Sequence, residues 1–299
     1  MATAVPLDAL SPRPAVQTPG IRHVLLSNRK FVIGASVIVL LLLIAVLGGR
    51  LIGPQPLRSG AFPAKLSAGG PGLALLGTTT LGQSVLAQLF QALPNSMLVG
   101  LVAAVIGTCV GATLGLLSGY FGSWVDGVLR VFNDVFLAVP SLLFLVLIAS
   151  LLHGFGVVPM AITIGCFAWA WPARVVRSQV LSLKERPFVQ VGLLSGLSSI
   201  EIVWGELMPH LLPWLGANFV NAFIAAILAE SGLSILGLGP QNEMTLGMMI
   251  YWALNYGALL QNLWWWWATP VLMLIVLFMS LYLVHLGLDE VANPRLRGA

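Results

Sequence analysis

The chain has 299 residues, 58% of them hydrophobic and 8% charged, with a formal net charge of +4 and a mean hydropathy of +0.96. Soluble domains carry about 25% charged residues, so this chain lacks the charge to cover a water-facing surface, and a soluble globular domain is excluded. No Asp, Glu, Lys or Arg falls in 31–49, 66–125, 135–173, 207–229 or 244–288, and a membrane-spanning helix needs only about 20 apolar residues. The pattern predicts an all-α integral membrane protein with six spans, at 30–52, 94–118, 128–152, 157–180, 213–238 and 264–287. A strand barrel is excluded because these runs are continuous rather than alternating.

In chain order, residues 1–29 form a tail whose first part is rich in Pro, Ala and Thr. The run from Phe31 is too long for a signal-peptide core and lacks a small-residue cleavage site, so 30–52 is a retained first span. Residues 53–93, with Pro54, Pro56, Pro63 and Pro71, form an outside loop in which Leu81–Leu93 is expected as a helix lying at the interface. A core domain follows over 94–290, and 291–299 is a C-terminal tail. In the second span Gly107, Gly111, Gly115 and Gly119 recur every four residues and line one helix face, where small residues admit a close neighbour. Two readings stand, an interface with a partner chain or packing within this one.

The third span carries Asn133 and Asp134 near its inner end and Pro140 in its middle. Proline removes a backbone donor and bends a helix, either beside a pathway or simply to fit neighbours. The segment 153–159 reads as a short outside turn. Cys109 and Cys166 fall inside spans and are expected as small buried thiols, with neither a disulfide nor a metal site. Glu230 is the one carboxylate deep in a span, a costly position that marks either function or hydrogen-bonded glue between helices. The four tryptophans 264–267 open the last span, as an interfacial anchor belt or, alternatively, a carbohydrate-stacking platform.

Orientation follows from the basic residues. With the N-terminus inside, eleven of the fourteen lie on the cytoplasmic side, and only Arg50, Arg58 and Lys65 lie outside. Both termini are therefore expected in the cytoplasm. The basic charge reads as topology and not as nucleic-acid binding, since no basic patch with interleaved aromatics occurs. Of the three lysines, Lys30, Lys65 and Lys184, none sits in a phosphate-cradling loop. There is no H-E-x-x-H, and His285 with Asp289 is a metal pair without a third ligand. The chain is expected to be no enzyme, and no internal repeat of an inverted-repeat transporter is evident.

The loop 182–212 interrupts this apolar pattern. Pro187 suits a first helical turn. Val189, Leu193, Leu197, Ile200 and Trp204 recur at three or four to give an apolar stripe, and Gly196 breaks the helix into two short pieces. The element reads as a docking face or as a plain interfacial linker. Gly196 is followed by nine residues and then Glu206, Leu207, Met208 and Pro209. This resembles the cytoplasmic loop of ABC importer permeases, E-A-A, three residues, G, nine residues, I-x-L-P, with Gln190, Val191 and Gly192 at the first three positions. "GLLSGYFGSWVD" at 115–126, "AVPSLL" at 138–143, "ARVVRSQVLSLKERPFV" at 173–189 and "AILAESGLSILGLG" at 226–239 resemble, in order, the C-type subunit of dipeptide and oligopeptide permeases. "GTTTLGQSVLAQ" at 77–88 is similar to that family's G-T-D-x-x-G-R-D start without its acidic residues and arginine.

The resemblance implies a type I ABC importer permease fold with a cytoplasmic coupling helix, in a bacterial plasma membrane. It implies a second homologous permease, two cytoplasmic ATPases that hold the ATP and magnesium, and an extracytoplasmic substrate-binding protein. No cofactor is expected on this chain. Lys184, Glu185, Phe188, Gln190, Gly192, Gly196, Ser198, Met208 and Pro209 are then the residues expected to couple to the ATPase. Gly107, Gly111, Gly115, Asn133, Asp134, Pro140 and Glu230 are candidates for helix packing or the pathway. Peptides of a few residues are the implied cargo; nickel chelates, opines and oligosaccharides remain alternatives, as does an ion-coupled secondary transporter.

Overall fold

A computed structural model describes residues 26–151 and 156–292. Residues 1–25 of the tail expected over 1–29 and residues 293–299 of that expected over 291–299 lie outside it, as does the centre of the turn expected at 153–159. The described residues are nearly all helical: α1 (Arg29–Ile52), α2 (Val85–Phe121), α3 (Ser123–Ala138), α4 (Ser141–Leu151), α5 (Val157–Ala168), α6 (Ala170–Leu183), α7 (Pro187–Leu194), α8 (Met208–Ile235), α9 (Leu246–Asn255) and α10 (Trp264–Ala292). Four helical stretches among them are long and apolar enough to cross a membrane, and the bent pair α3–α4 makes a fifth. The expected fourth span is instead two helices meeting at Trp169, each too short to cross alone.

α2 is the spine. Ser84 caps it by accepting from the Ala87 N–H, and its 37 residues run unbroken through Pro94, a length of about 55 Å. The separate interfacial helix expected at Leu81–Leu93 is thus a loop end plus the first turns of α2. Those turns lie beneath protein rather than lipid: Val85, Leu89, Ala92 and Leu93 share a buried cluster with Trp265, Trp266 and Leu277. Over them sits the folded loop 53–84, where Thr78 Oγ1 donates to the Pro63 carbonyl at 2.8 Å and Gln83 Nε2 to that of Leu57 at 2.7 Å. The indole of Trp265 ties this cap down by donating to the Thr78 carbonyl at 3.1 Å. The tryptophan belt is accordingly corrected. Trp265 and Trp266 are core residues, Trp266 stacking on Tyr256, while Trp264 is exposed. An anchor belt or sugar platform needs free rings, and only part of the quartet has them.

The glycine face of α2 meets α6. A methyl group at Gly111 would stand 2.6 Å from the Trp169 carbonyl, and one at Gly115 2.6 Å from that of Ala173; at Gly119 it would lie 2.8 Å from Val180 Cβ. Gly107 abuts Ala168 in the same way. The structure therefore places this stripe in intrachain packing. Lipid gives no hydrophobic drive between helices, so close backbone approach and dispersion contacts hold the pair. α1 lies against α10, with Gly34 under Ser280 and Val284, and Lys30 Nζ pairs with Glu290 at 2.6 Å. Cys109 and Cys166 are exposed, not buried. On a membrane-spanning surface an apolar thiol faces acyl chains at little cost, so exposure and burial are not distinguished by composition.

Candidate functional site

Two features stand out: the elbow between α6 and α8, and cavities along α3. The elbow begins with Arg186 extended ahead of Pro187 at the first turn of α7. α7 ends in a Schellman motif, in which Leu197 N–H bonds the Gly192 carbonyl and Gly196 N–H that of Leu193, both at 3.1 Å. Gly196 carries the left-handed conformation this requires, φ +81°, with nothing within 4 Å of where a Cβ would stand. Ser198 then opens the next turn, Ser199–Glu201. Its N–H donates to Glu201 Oε2 at 2.7 Å, and its hydroxyl accepts from the Glu201 N–H, a reciprocal capping box. A π-helical turn, Ile202–Leu207, leads into α8.

Val189 is buried with Leu116, Val176, Val180, Ile202 and Leu207, which fixes the inner side of α7. Phe188 stacks on His210, ring centres 4.5 Å apart, clamping α7 to the start of α8. The structure thus brings Phe188, Gly192, Gly196 and Ser198 together in one elbow, with Met208 and Pro209 at its far end. Lys184 is half-buried just ahead of it, and Glu185 and Gln190 are exposed. The apolar stripe expected across the segment is split. Val189 is buried and Leu197 half-buried, whereas Leu193, Ile200 and Trp204 face outward. The left-handed turn at Gly196 resets the helical phase, so a period counted through it does not describe one face. Leu194 at 88% exposure and Val191 at 61% are further outward apolar residues. The apolar period did not select them or His210, because periodicity does not say which side a neighbour covers.

The first cavity, about 390 Å³, lies where α2, α3 and α6 meet and is lined by Arg130, Asn133, Asp134, Arg174 and Arg177. Arg174 Nη2 donates to Asp134 Oδ1 at 2.6 Å. Arg177 holds Asp126 with two bonds, one of them Nη2 to Oδ2 at 2.6 Å, and Ser118 also donates to Asp126. Asn133 is buried, and its carbonyl oxygen has no partner. Ion pairing thus accounts for Asp134, which is half-exposed.

The second cavity, about 520 Å³, sits beside the break at Pro140, where α3 and α4 diverge by 76°. Phe136, Pro140, Ala168, Trp171 and Asn218 are among its walls. Trp169, which lines the first cavity, packs against Phe136, which lines the second, at 5.0 Å between ring centres. An aromatic partition therefore separates a charged chamber from a neutral one.

Glu230 lies outside both cavities, fully buried in α8. It accepts from Ser234 Oγ at 2.7 Å and Thr245 Oγ1 at 2.6 Å. Thr245 caps α9, whose Leu246 N–H donates to Ser96 Oγ of α2 at 2.9 Å. The carboxylate is thus bonded glue among α8, α9 and, through Ser96, α2. Glu243 of the same connection accepts from the Val157 N–H at the start of α5.

Comparison with known proteins agrees with this geometry. Residues 111–298 match the family described as "Binding-protein-dependent transport system inner membrane component". The oligopeptide transport system permease protein OppC of Mycobacterium tuberculosis is 37% identical over 177 residues, 58% of this chain and 61% of that protein. The dipeptide permease DppC of Lactococcus lactis subsp. cremoris is 32% identical over 223 residues, covering 74% of this chain and 64% of its own length. The di/tripeptide permease DppC of Pseudomonas aeruginosa is 29% identical over 238 residues, covering 79% and 77%. The chain thus spans about three fifths of the mycobacterial relative it matches.

Proposed function

The chain belongs to the family of binding-protein-dependent transport system inner membrane components, and from that membership we propose that it is one permease subunit of an ATP-driven peptide importer. It lies in a bacterial plasma membrane with both termini in the cytoplasm, and its cargo is peptides of a few residues, the class named by its relatives. Its partners are a second, similar permease, two cytoplasmic ATPases carrying ATP and magnesium, and an external binding protein.

The observation that carries the proposal is the elbow. A helix of eight residues, stopped by Gly196 and restarted by the Ser198–Glu201 box, stands where the family's coupling motif falls. Its inner side is fixed by Val189 and Phe188, while Val191, Leu194, Ile200 and Trp204 are outward. A capped, clamped helix moves as one body, so a cleft on an ATPase that seats it transmits displacement into α6 and α8. Closure of the ATPase pair on ATP then switches the permease pair between inward- and outward-facing forms. Loaded binding protein biases that switch only through its different affinity for the two.

The test is reconstitution. The chain co-purifies with its ATPases, and proteoliposomes of the whole complex accumulate peptide only with ATP and binding protein. Accumulation by the purified chain alone on an ion gradient would overturn the proposal.

A further inference from the structure

We propose that the charged cavity between α2, α3 and α6 seats the headgroup of an anionic phospholipid, the arginines taking its phosphodiester and Asn133 a headgroup hydroxyl. This needs only that the chain spans a bilayer and is independent of the cargo. Leu114, Gly115 and Ser118 of the cavity wall lie in the last turns of α2, which ends at Phe121. A helix of about 55 Å outruns a hydrocarbon layer of about 30 Å, so its last turns reach headgroup depth. The helix that walls the cavity on its other side, α3, is built inside out. Asp126, Arg130, Asn133 and Asp134 share the side turned to α2 and α6, while Trp124, Val128, Val131 and Val135 share the opposite side and are 59–75% exposed. That apolar side costs free energy in water and none among acyl chains.

The polar groups of the cavity do not satisfy one another. Arg174 gives one Nη2–H to Asp134, and Arg130 donates no hydrogen bond among the described residues and approaches Asp134 only to 3.9 Å. Each guanidinium has five N–H donors, and the side chains of Arg130 and Arg174 are 65% and 49% exposed, so donors remain at the mouth. Three arginines, Arg130, Arg174 and Arg177, stand against two carboxylates, Asp126 and Asp134, which leaves one positive charge. Asn133 is 8% exposed, and its buried side-chain oxygen has no partner, a costly state for a polar atom. A phosphodiester oxygen matches free guanidinium N–H groups, and basic pockets between spanning helices are where anionic headgroups bind. A hydroxyl both donates and accepts, so it satisfies Asn133 whichever way the amide is turned. Phosphatidylglycerol brings a single negative charge and headgroup hydroxyls together. Phosphatidylethanolamine brings an ammonium that donates as well, but it cancels the phosphate and leaves the extra positive charge unmet.

The experiment takes the full chain in detergent, alone and within its complex, and titrates dioleoyl-phosphatidylglycerol against dioleoyl-phosphatidylethanolamine, with bound lipid counted by native mass spectrometry. Phosphatidylglycerol is expected to bind at least about fivefold more tightly, the effect of one basic residue at a membrane surface. Arg130→Gln, which breaks no hydrogen bond of the described residues, is expected to remove most of that preference. Asn133→Leu is expected to weaken phosphatidylglycerol binding about two- to tenfold while the melting temperature of the lipid-free protein holds or rises, a combination that a purely structural asparagine does not give. Equal binding of the two lipids, or a preference indifferent to both substitutions, overturns the proposal. So does loss of bound phosphatidylglycerol when the complex is assembled, which means another subunit covers the mouth. Inorganic phosphate is the remaining arm: if it raises the melting temperature as much as phosphatidylglycerol does, and Arg130→Gln abolishes that rise, the cavity takes soluble phosphate and the lipid assignment falls.

Discussion

The elbow gives the sharpest prediction. At Gly196 a side chain meets nothing within 4 Å, but φ is +81°, so substitution there acts through the backbone alone. A non-glycine residue in the left-handed region costs about 1–2 kcal/mol. The turn is closed by the Leu197–Gly192 and Gly196–Leu193 bonds, each worth about 0.5–1.5 kcal/mol net. The strain is therefore comparable with what holds the elbow shut, and lowers the closed-to-open ratio about five- to thirtyfold. Asn tolerates the left-handed region better than Ala, and a β-branched residue tolerates it worst. The expected order of damage is Gly196→Asn, then Gly196→Ala, then Gly196→Val. The assay is peptide transported per ATP hydrolysed in proteoliposomes of the complex, with co-purification of the ATPase recorded for each variant. Should Gly196→Asn be as uncoupled as Gly196→Val, the position serves close approach of a partner, and the conformational argument is refuted.

Other expectations follow from the packing. Gly115→Leu forces α2 from α6, since even a methyl group would stand 2.6 Å from a carbonyl; overpacking of this kind costs about 1–3 kcal/mol and lowers the melting temperature of the purified complex. Glu230→Leu strands the hydroxyls of Ser234 and Thr245 at about 1–3 kcal/mol for each buried group left unpaired, whereas Glu230→Gln keeps an acceptor and is milder; equal melting points for the two would show the hydroxyls find other partners. Trp265→Phe removes the bond to the Thr78 carbonyl, so limited proteolysis should cut within 53–84 faster while cleavage elsewhere is unchanged.

What could be read in advance divides by range. The uncharged runs located α1, α2, α8 and α10 because a bilayer demands about 20 apolar residues whatever the neighbours do. Gly196 was readable for a similar reason: a helix stop needing positive φ is written in one residue. The glycine stripe was visible but its partner was not, since α6 lies some sixty residues on and small residues fit any close neighbour. The expected surface helix at Leu81–Leu93 and the span at 94–118 are instead largely one helix, α2, which runs through Pro94. Trp169 gave no warning of a break, having neither proline's missing donor nor glycine's freedom. Thr245, which completes the Glu230 cluster, is fifteen residues away, beyond the reach of helical periodicity.

The length of α2 has a consequence of its own. At about 55 Å it exceeds the hydrocarbon thickness of about 30 Å, and its glycine seam occupies only the half nearer the elbow. Its other half is held as well, Val85, Leu89, Ala92 and Leu93 being buried against Trp265, Trp266 and Leu277. A rod packed along its whole length passes a tilt of its inner end to the loop 53–84 as a rigid displacement, up to about 10 Å at the far tip for about 10°.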